Sequence, residues 1–149
     1  MGATQQAADG RSGGFRLFEL FGIEIRLDFS VALIFGLIVY SLGTGVFPDW
    51  HPEWTPATAW LTALAAGVLF FVSLLAHELS HSLMARRYEI RVPRITLFLF
   101  GGVAEIEREA DTPGAEFAIA IAGPIMSFAL GFLCVWLAAA MVGAEVLER

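Results

Sequence analysis

Three residues of chemically useful type stand in the middle of an apolar run: His77, Glu78 and His81, in Ala76-His-Glu-Leu-Ser-His81. If the run is helical, positions four apart lie one above the other on the same face, so both imidazoles reach a common point. Imidazole nitrogens are ligands that zinc favours, and a carboxylate beside the first of them is placed to take a proton from an activated water. The pattern predicts His77 and His81 as metal ligands, a single Zn2+ as cofactor and Glu78 as the catalytic general base. In the competing reading the histidines merely hydrogen-bond a neighbouring helix, but that leaves Glu78 without a partner. An acidic residue at mid-bilayer costs about 2.5–3.5 kcal/mol on insertion scales, so ionisable groups persist in apolar spans chiefly where they act.

The elements that must carry these residues are membrane spans. Of the 149 residues 57% are hydrophobic and only 16% charged, more apolar surface than so small a soluble domain can hide. The apolar residues also fall into long blocks, as they do when the bilayer is the solvent. Three blocks are long enough to cross: about Phe29 to Phe47, Ala57 to Met84 and Ala115 to Val142. The second and third open with Thr55-Pro56 and Thr112-Pro113, a capping residue followed by proline at the first helical position. With Arg86 and Arg87 at the interface, a rise of 1.5 Å per residue puts His81 about 7 Å and His77 about 14 Å along the axis from them. A metal there lies below the membrane surface and short of the midplane, so water needs a polar cavity to reach it.

All nine basic residues are arginine. Arg11, Arg16 and Arg26 precede the first span, and Arg86, Arg87, Arg91, Arg94 and Arg108 lie between the second and third; Arg149 alone falls past the third. The bias places the N-terminus and the 86–108 region in the cytoplasm, in a multi-pass protein of the cell (inner) membrane. Trp50, Trp54 and Trp60 then mark the outer interface. Two stretches read as strands. Phe15 to Asp28 contains the strict alternation of Ile23 to Asp28, and the run Ile95 to Phe100 meets Val103 to Ile106 around Gly101-Gly102, a hairpin with the glycines at its turn. Six apolar residues are too few to span as helix, so this hairpin would dip in from the cytoplasmic side, sheltered by protein. The expected fold is an all-α membrane protein of three transmembrane helices with short membrane-associated β-strands.

Other features have plainer readings. The net charge of −6 comes with no basic cluster large enough for nucleic acid, so no such partner is expected. The lone Cys134 excludes a disulfide framework and reads as a small core hydrophobe. Met1 to Gly14 is polar and glycine-rich and reads as a disordered tail ahead of a core beginning at Phe15, with no apolar region of a secretory signal before Phe29. Gly123, Ser127 and Gly131 form a small-residue stripe that reads as helix packing, and Pro124 should bend the third span and free a carbonyl. The run of Glu105, Glu107, Glu109 and Asp111 reads as a solvated loop, and Asp28, at a span end, is not read as a ligand.

Taken in order, His77-Glu-Leu-Ser-His81 with the following Ser-Leu-Met-Ala-Arg-Arg-Tyr, the segment Ile95-Thr-Leu-Phe-Leu-Phe-Gly-Gly-Val-Ala104, and Ala122-Gly-Pro-Ile-Met-Ser127 resemble the site-2 protease family of intramembrane zinc metalloproteases. Phe18 to Ser30 also resembles the lead into the family's first helix, and the likeness covers about Phe15 to Val142. Within the family it is nearest to the prokaryotic subgroup that often carries CBS domains. The resemblance implies a zinc-dependent endopeptidase whose substrate is a membrane-spanning protein, commonly a transcriptional regulator or a remnant already clipped outside. It also implies a third ligand, an aspartate in a Leu-Asp-Gly motif on a later helix, which this chain does not contain. An N-terminal fragment, inactive alone, is therefore expected. Two other classes stay open: a membrane metallopeptidase of the HtpX type, which uses a downstream glutamate as third ligand and lacks the Phe-Gly-Gly-Val-Ala segment, and an inactive pseudoprotease that binds membrane partners.

Overall fold

A computed structural model describes residues 14–147, with side chains described through residue 140. The polar stretch Met1 to Gly14 lies outside the described residues except for Gly14, which opens the first strand. Strands β1 (Gly14–Leu20) and β2 (Ile23–Asp28) lead into helix α1 (Phe29–Ser41). A π-helical turn (Leu42–Val46) and the short α2 (Phe47–Trp50) complete the first span. Helix α3 (Pro56–Arg87) returns to strands β3 (Arg94–Phe98) and β4 (Gly101–Glu105), and α4 (Pro113–Leu147) follows. Three helical segments are long and apolar enough to cross a membrane: Phe29–Trp50, Pro56–Arg87 and Pro113–Ala140. Their outward side chains are apolar, with Leu33 70% and Phe128 80% exposed, as suits a protein whose surroundings are lipid.

Local chemistry sets the helix ends. Thr55 caps α3 by accepting the N–H of Thr58, and Pro56 fills the first helical position, where no donor is needed. Thr112 does the same for α4, accepting from Ala115 at 3.2 Å. The far end of α3 closes in a Schellman motif: the N–H of Glu89 bonds to Arg86 O and that of Ile90 to Ala85 O. Glu89 takes the left-handed conformation this requires, at φ 59°. Ile90 then packs with Ala85 in a small buried cluster with Val92. This closure turns the chain sharply from the helix that bears the histidines into the sheet.

The strands form one four-stranded sheet in the order β1-β2-β3-β4, where the sequence suggested a strand region and a separate hairpin. The stretch from Phe15 to Asp28 is itself a hairpin, turning at Phe21 and Gly22, both at positive φ as a two-residue type I′ turn demands. β2 and β3 pair in parallel, which needs a crossover, and here the crossover is the pair of spans α1 and α3. The second hairpin turns at Leu99-Phe100, two residues before the expected place; Gly101 and Gly102 lie inside β4, paired with Phe98 and Leu97. Those glycines serve a close approach described below.

Each face of the sheet has its own chemistry. Ile23, Ile25, Ile95 and Leu97 are fully or almost fully buried, packed on Val31 of α1 and on Phe71, Leu74, Leu75 and Leu79 of α3. On the other face stand Arg16, Glu19, Glu24, Arg26, Arg94 and Glu105, joined by Arg16–Glu19, Glu24–Arg26 and Arg94–Glu105 ion pairs. These neutralise the like-charged cross-strand neighbours Arg16–Arg26 and Glu19–Glu24. The acidic run after β3 is thus partly knitted to arginines, Glu107 to Arg91 and Asp111 to Arg108 included. Cys134 is exposed on α4 and not packed in a core. Gly67 lets α3 sit against Phe35 and Val39 of α1: a Cβ there would lie 2.9 Å from Val39 Cγ2.

Asp28 joins sheet and span. Its carboxylate caps α1 through the N–H of Ser30 at 2.9 Å, while the Ser30 hydroxyl accepts the N–H of Leu99 in the β3–β4 turn at 3.0 Å. Hydrogen bonds from the Ser30 hydroxyl and N–H hold the Asp28 carboxyl below its usual range. A group whose pKa is depressed by folding stabilises the fold above its unfolded value and ceases to do so as the pH falls through its folded value. Asp28→Ala should therefore lower the thermal midpoint in detergent at neutral pH. The difference from wild type should vanish on acidification below the ordinary carboxylate range, measured by melting curves across pH.

Candidate metal centre

His77 and His81 lie on one face of α3, as their spacing predicts, with ring centroids 4.7 Å apart. That face meets α4. The Nδ1 of His81 donates to the carbonyl of Ile119 at 2.7 Å. A carbonyl only accepts, so this ring carries its proton on Nδ1 and turns the Nε2 lone pair outward. The Nδ1 of His77 lies 2.8 Å from the hydroxyl of Ser127, which can accept from it and select the same tautomer. The two Nε2 atoms then face each other at 3.1 Å. Two bare lone pairs at that distance repel, and a cation between them turns the repulsion into attraction.

The separation suits a specific ion. Two ligands about 2.0–2.1 Å from zinc and 3.1 Å from each other subtend an angle of roughly 100°, close to tetrahedral. The space beside the nitrogens is kept open by Gly123 of α4. A Cβ there would lie 2.6 Å from His77 Nε2 and closer still to His81 Nε2. The donor set, its tautomers and the cradle left by Gly123 all fit zinc. Among the described residues no group of three or more His, Cys, Asp or Glu side chains gathers at one point.

Glu78, one residue further and about 100° around the helix, turns toward the sheet. A Cβ on Gly102 of β4 would lie 2.7 Å from its Cδ, so only glycine lets the strand lie on this carboxylate. The Gly102 N–H is directed at it as well. A cleft of about 320 Å3 runs past His77, Glu78, Gly101, Gly102, Ser127, Ser73 and Phe100, which gives the half-buried carboxylate and the first histidine a shared opening. Asp28 is engaged in its cap, away from the pair.

Two groups of residues were read from sequence as something else. The Gly123–Ser127–Gly131 stripe suggested helix packing, and beyond that Gly123 faces both histidines and Ser127 holds one of them; a Cβ on Gly131 would meet nothing within 4 Å. Gly101-Gly102 suggested a turn. The signal available for both was the match of their segments to a family's motifs, because spacing alone cannot say what a small residue is making room for. Pro124, next to Gly123, lies within the unbroken α4 and offers no N–H to the carbonyl of Ala120.

The profile of peptidase family M50 matches residues 65–149, more than half of the chain. A Synechocystis protein named as a zinc metalloprotease is 40% identical over 135 residues, covering 91% of this chain and 34% of its own length. A Mycobacterium tuberculosis protein named likewise is 38% identical and is covered to the same 34%. The solved site-2 protease from Methanocaldococcus jannaschii superposes with a TM-score of 0.60 at 28% identity, over 83% of this chain and 50% of that one. The chain thus spans about a third of the length of these curated relatives.

Gly123→Ala tests the cradle. The added methyl group should abolish zinc binding while the helical content and near-ultraviolet dichroism stay as in wild type. The check is zinc content by mass spectrometry beside the two spectra.

Proposed function

The chain belongs to peptidase family M50, and from that membership and the facing nitrogens of His77 and His81 we propose that it is the zinc-holding part of an intramembrane endopeptidase. It is a membrane protein with three spanning helices. Its substrates, on this reading, are membrane-spanning proteins cut within or near the bilayer. The observation that carries the reading is the pair of Nε2 atoms 3.1 Å apart beside a glycine, with a carboxylate one residue along.

His77 and His81 would hold the ion as neutral imidazoles, kept in that tautomer by Ser127 and the Ile119 carbonyl. Bound zinc supplies Lewis acidity toward a water and toward the carbonyl to be cleaved. Glu78 would accept a proton from the attacking water and afterwards deliver it to the leaving amine, so no net proton would be gained or lost. The Gly102 N–H orients the carboxylate for both steps. A transmembrane helix hides its carbonyls in its own hydrogen bonds, so the substrate must unwind locally. β4 is the last strand of the sheet and lies beside the cleft, and its free edge suits an unwound segment adding as a further strand. A third ligand, by likeness to the family, is an aspartate on a later helix.

Glu78→Gln, in protein expressed from the complete gene, should slow cleavage of a membrane-embedded substrate by roughly 10²–10⁴-fold while leaving the zinc content unchanged. His77→Ala should lose both. Normal rates from Glu78→Gln would remove the general-base assignment.

Orientation follows from the arginines: on this reading the sheet and residues 86–94 face the cytoplasm of the cell (inner) membrane, and residues 48–54 face outward. With Cys134→Ala as background, Asp49→Cys should react with a membrane-impermeant maleimide in intact cells and Arg91→Cys only after lysis. Labelling of position 91 alone in intact cells would reverse the topology.

A further inference from the structure

The β1–β2 hairpin is tied at both ends to the ends of membrane spans. At one end β2 runs straight into α1, and the ring of Phe15 packs edge-on against Phe29, the first residue of that span, at 4.5 Å. At the other, the Arg86 guanidinium, in the last turn of α3, donates to the carbonyl of Phe21 at the hairpin tip. Span ends mark the level at which hydrocarbon gives way to headgroups. A strand pair pinned at that level at both ends lies along the membrane surface.

The faces of β1 are sorted to match. Pairing Phe15 with Leu27, Phe18 with Ile25 and Leu20 with Ile23 puts all three on the same face as the buried side of β2. Simple alternation would not do this, since Phe15 and Phe18 differ by an odd number of positions. A bulge between Arg16 and Phe18 absorbs the extra residue and restores the phase. Arg16 and Glu19 then share the opposite face with Arg26 and Glu24. Within the described chain, however, Phe15 and Phe18 remain 58% and 46% exposed, because β1 overhangs the helices that cover the rest of the sheet. Phe29 and Phe21, at its two ends, are exposed as well.

We propose that the apolar face of β1 rests in the headgroup–hydrocarbon boundary of the leaflet on the sheet's side. Phe15, Phe18 and Phe21 act there as aromatic anchors while the Arg/Glu face stays in water. The occupant of this surface is lipid: the strand is held at the lipid boundary from both ends, and interfacial aromatic rings are the side chains that boundary favours. The anchor fixes the height of the sheet against the bilayer, and with it the strand that lies on Glu78.

The test is a periodicity. Phe15→Cys, Arg16→Cys, Phe18→Cys and Glu19→Cys, each with Cys134→Ala in protein expressed from the complete gene, are spin-labelled and placed in phospholipid nanodiscs. Collision with oxygen should be severalfold greater at 15 and 18 than at 16 and 19, and collision with an aqueous nickel chelate should show the reverse. Nickel access at 15 and 18 equal to that at 16 and 19 would mean a face in water and overturn the proposal. Shielding of 15 and 18 from both reagents would mean that another protein segment covers them, and would overturn it too. A second measurement needs no substitution near the strand: a phospholipid with a carbene precursor near its glycerol should form adducts within residues 15–21 of the native chain. Adducts confined to the spanning helices would count against the anchor.

Discussion

Imidazole and carboxylate groups inside a bilayer must find their hydrogen-bond partners in the protein, because the hydrocarbon offers none. That demand organises the structure around α3. His81 takes the carbonyl of Ile119, His77 takes the hydroxyl of Ser127, and Glu78 meets the N–H of Gly102. With these contacts made, each ring has its Nδ1 committed, and the two Nε2 atoms are left aimed at one point. The demand that makes such a site tolerable in lipid therefore also prepares it for a cation.

Close approach follows from the same demand. For α4 to deliver a carbonyl and a hydroxyl to the histidines it must come nearer than a methyl group allows, and Gly123 stands there. For β4 to cover the carboxylate it must do likewise, and Gly102 stands there. The sheet in turn cannot drift, since Ile23, Ile25, Ile95 and Leu97 lock it onto α1 and α3 and the Asp28–Ser30–Leu99 contacts hold its second turn to the start of a span. The parallel pairing of β2 with β3 closes this arrangement: the chain leaves the sheet into the membrane and returns to the neighbouring strand. Sheet and spans form one packed unit, not a membrane domain with a loose appendage.

If the proposed function holds, the arrangement would meet two difficulties of hydrolysis inside a membrane together. A cleft reaches His77 and Glu78 between α3, α4 and β4, and on that reading a peptide and water would share it as a route to both groups. The strand edge at that cleft would offer backbone hydrogen bonds to a substrate that had given up its own by unwinding.

Much of this was legible without coordinates, for reasons that are local. Helical periodicity places residues four apart on one face whatever surrounds them, so the His77–His81 pair followed from spacing. Long apolar blocks must be helical in lipid, so the three spans followed from composition, and the Thr-Pro pairs marked two of their starts. What surrounds those helices is decided by pairing between distant residues, which no local pattern encodes. The union of four strands rests on β2 finding β3 across about seventy residues of chain. The true turn at Leu99-Phe100 was hidden because glycines that look like turn residues were needed for the approach to Glu78. Gly123 and Ser127 looked like packing because a missing side chain has no chemistry of its own; it acquires one only from the groups that the tertiary structure brings against it.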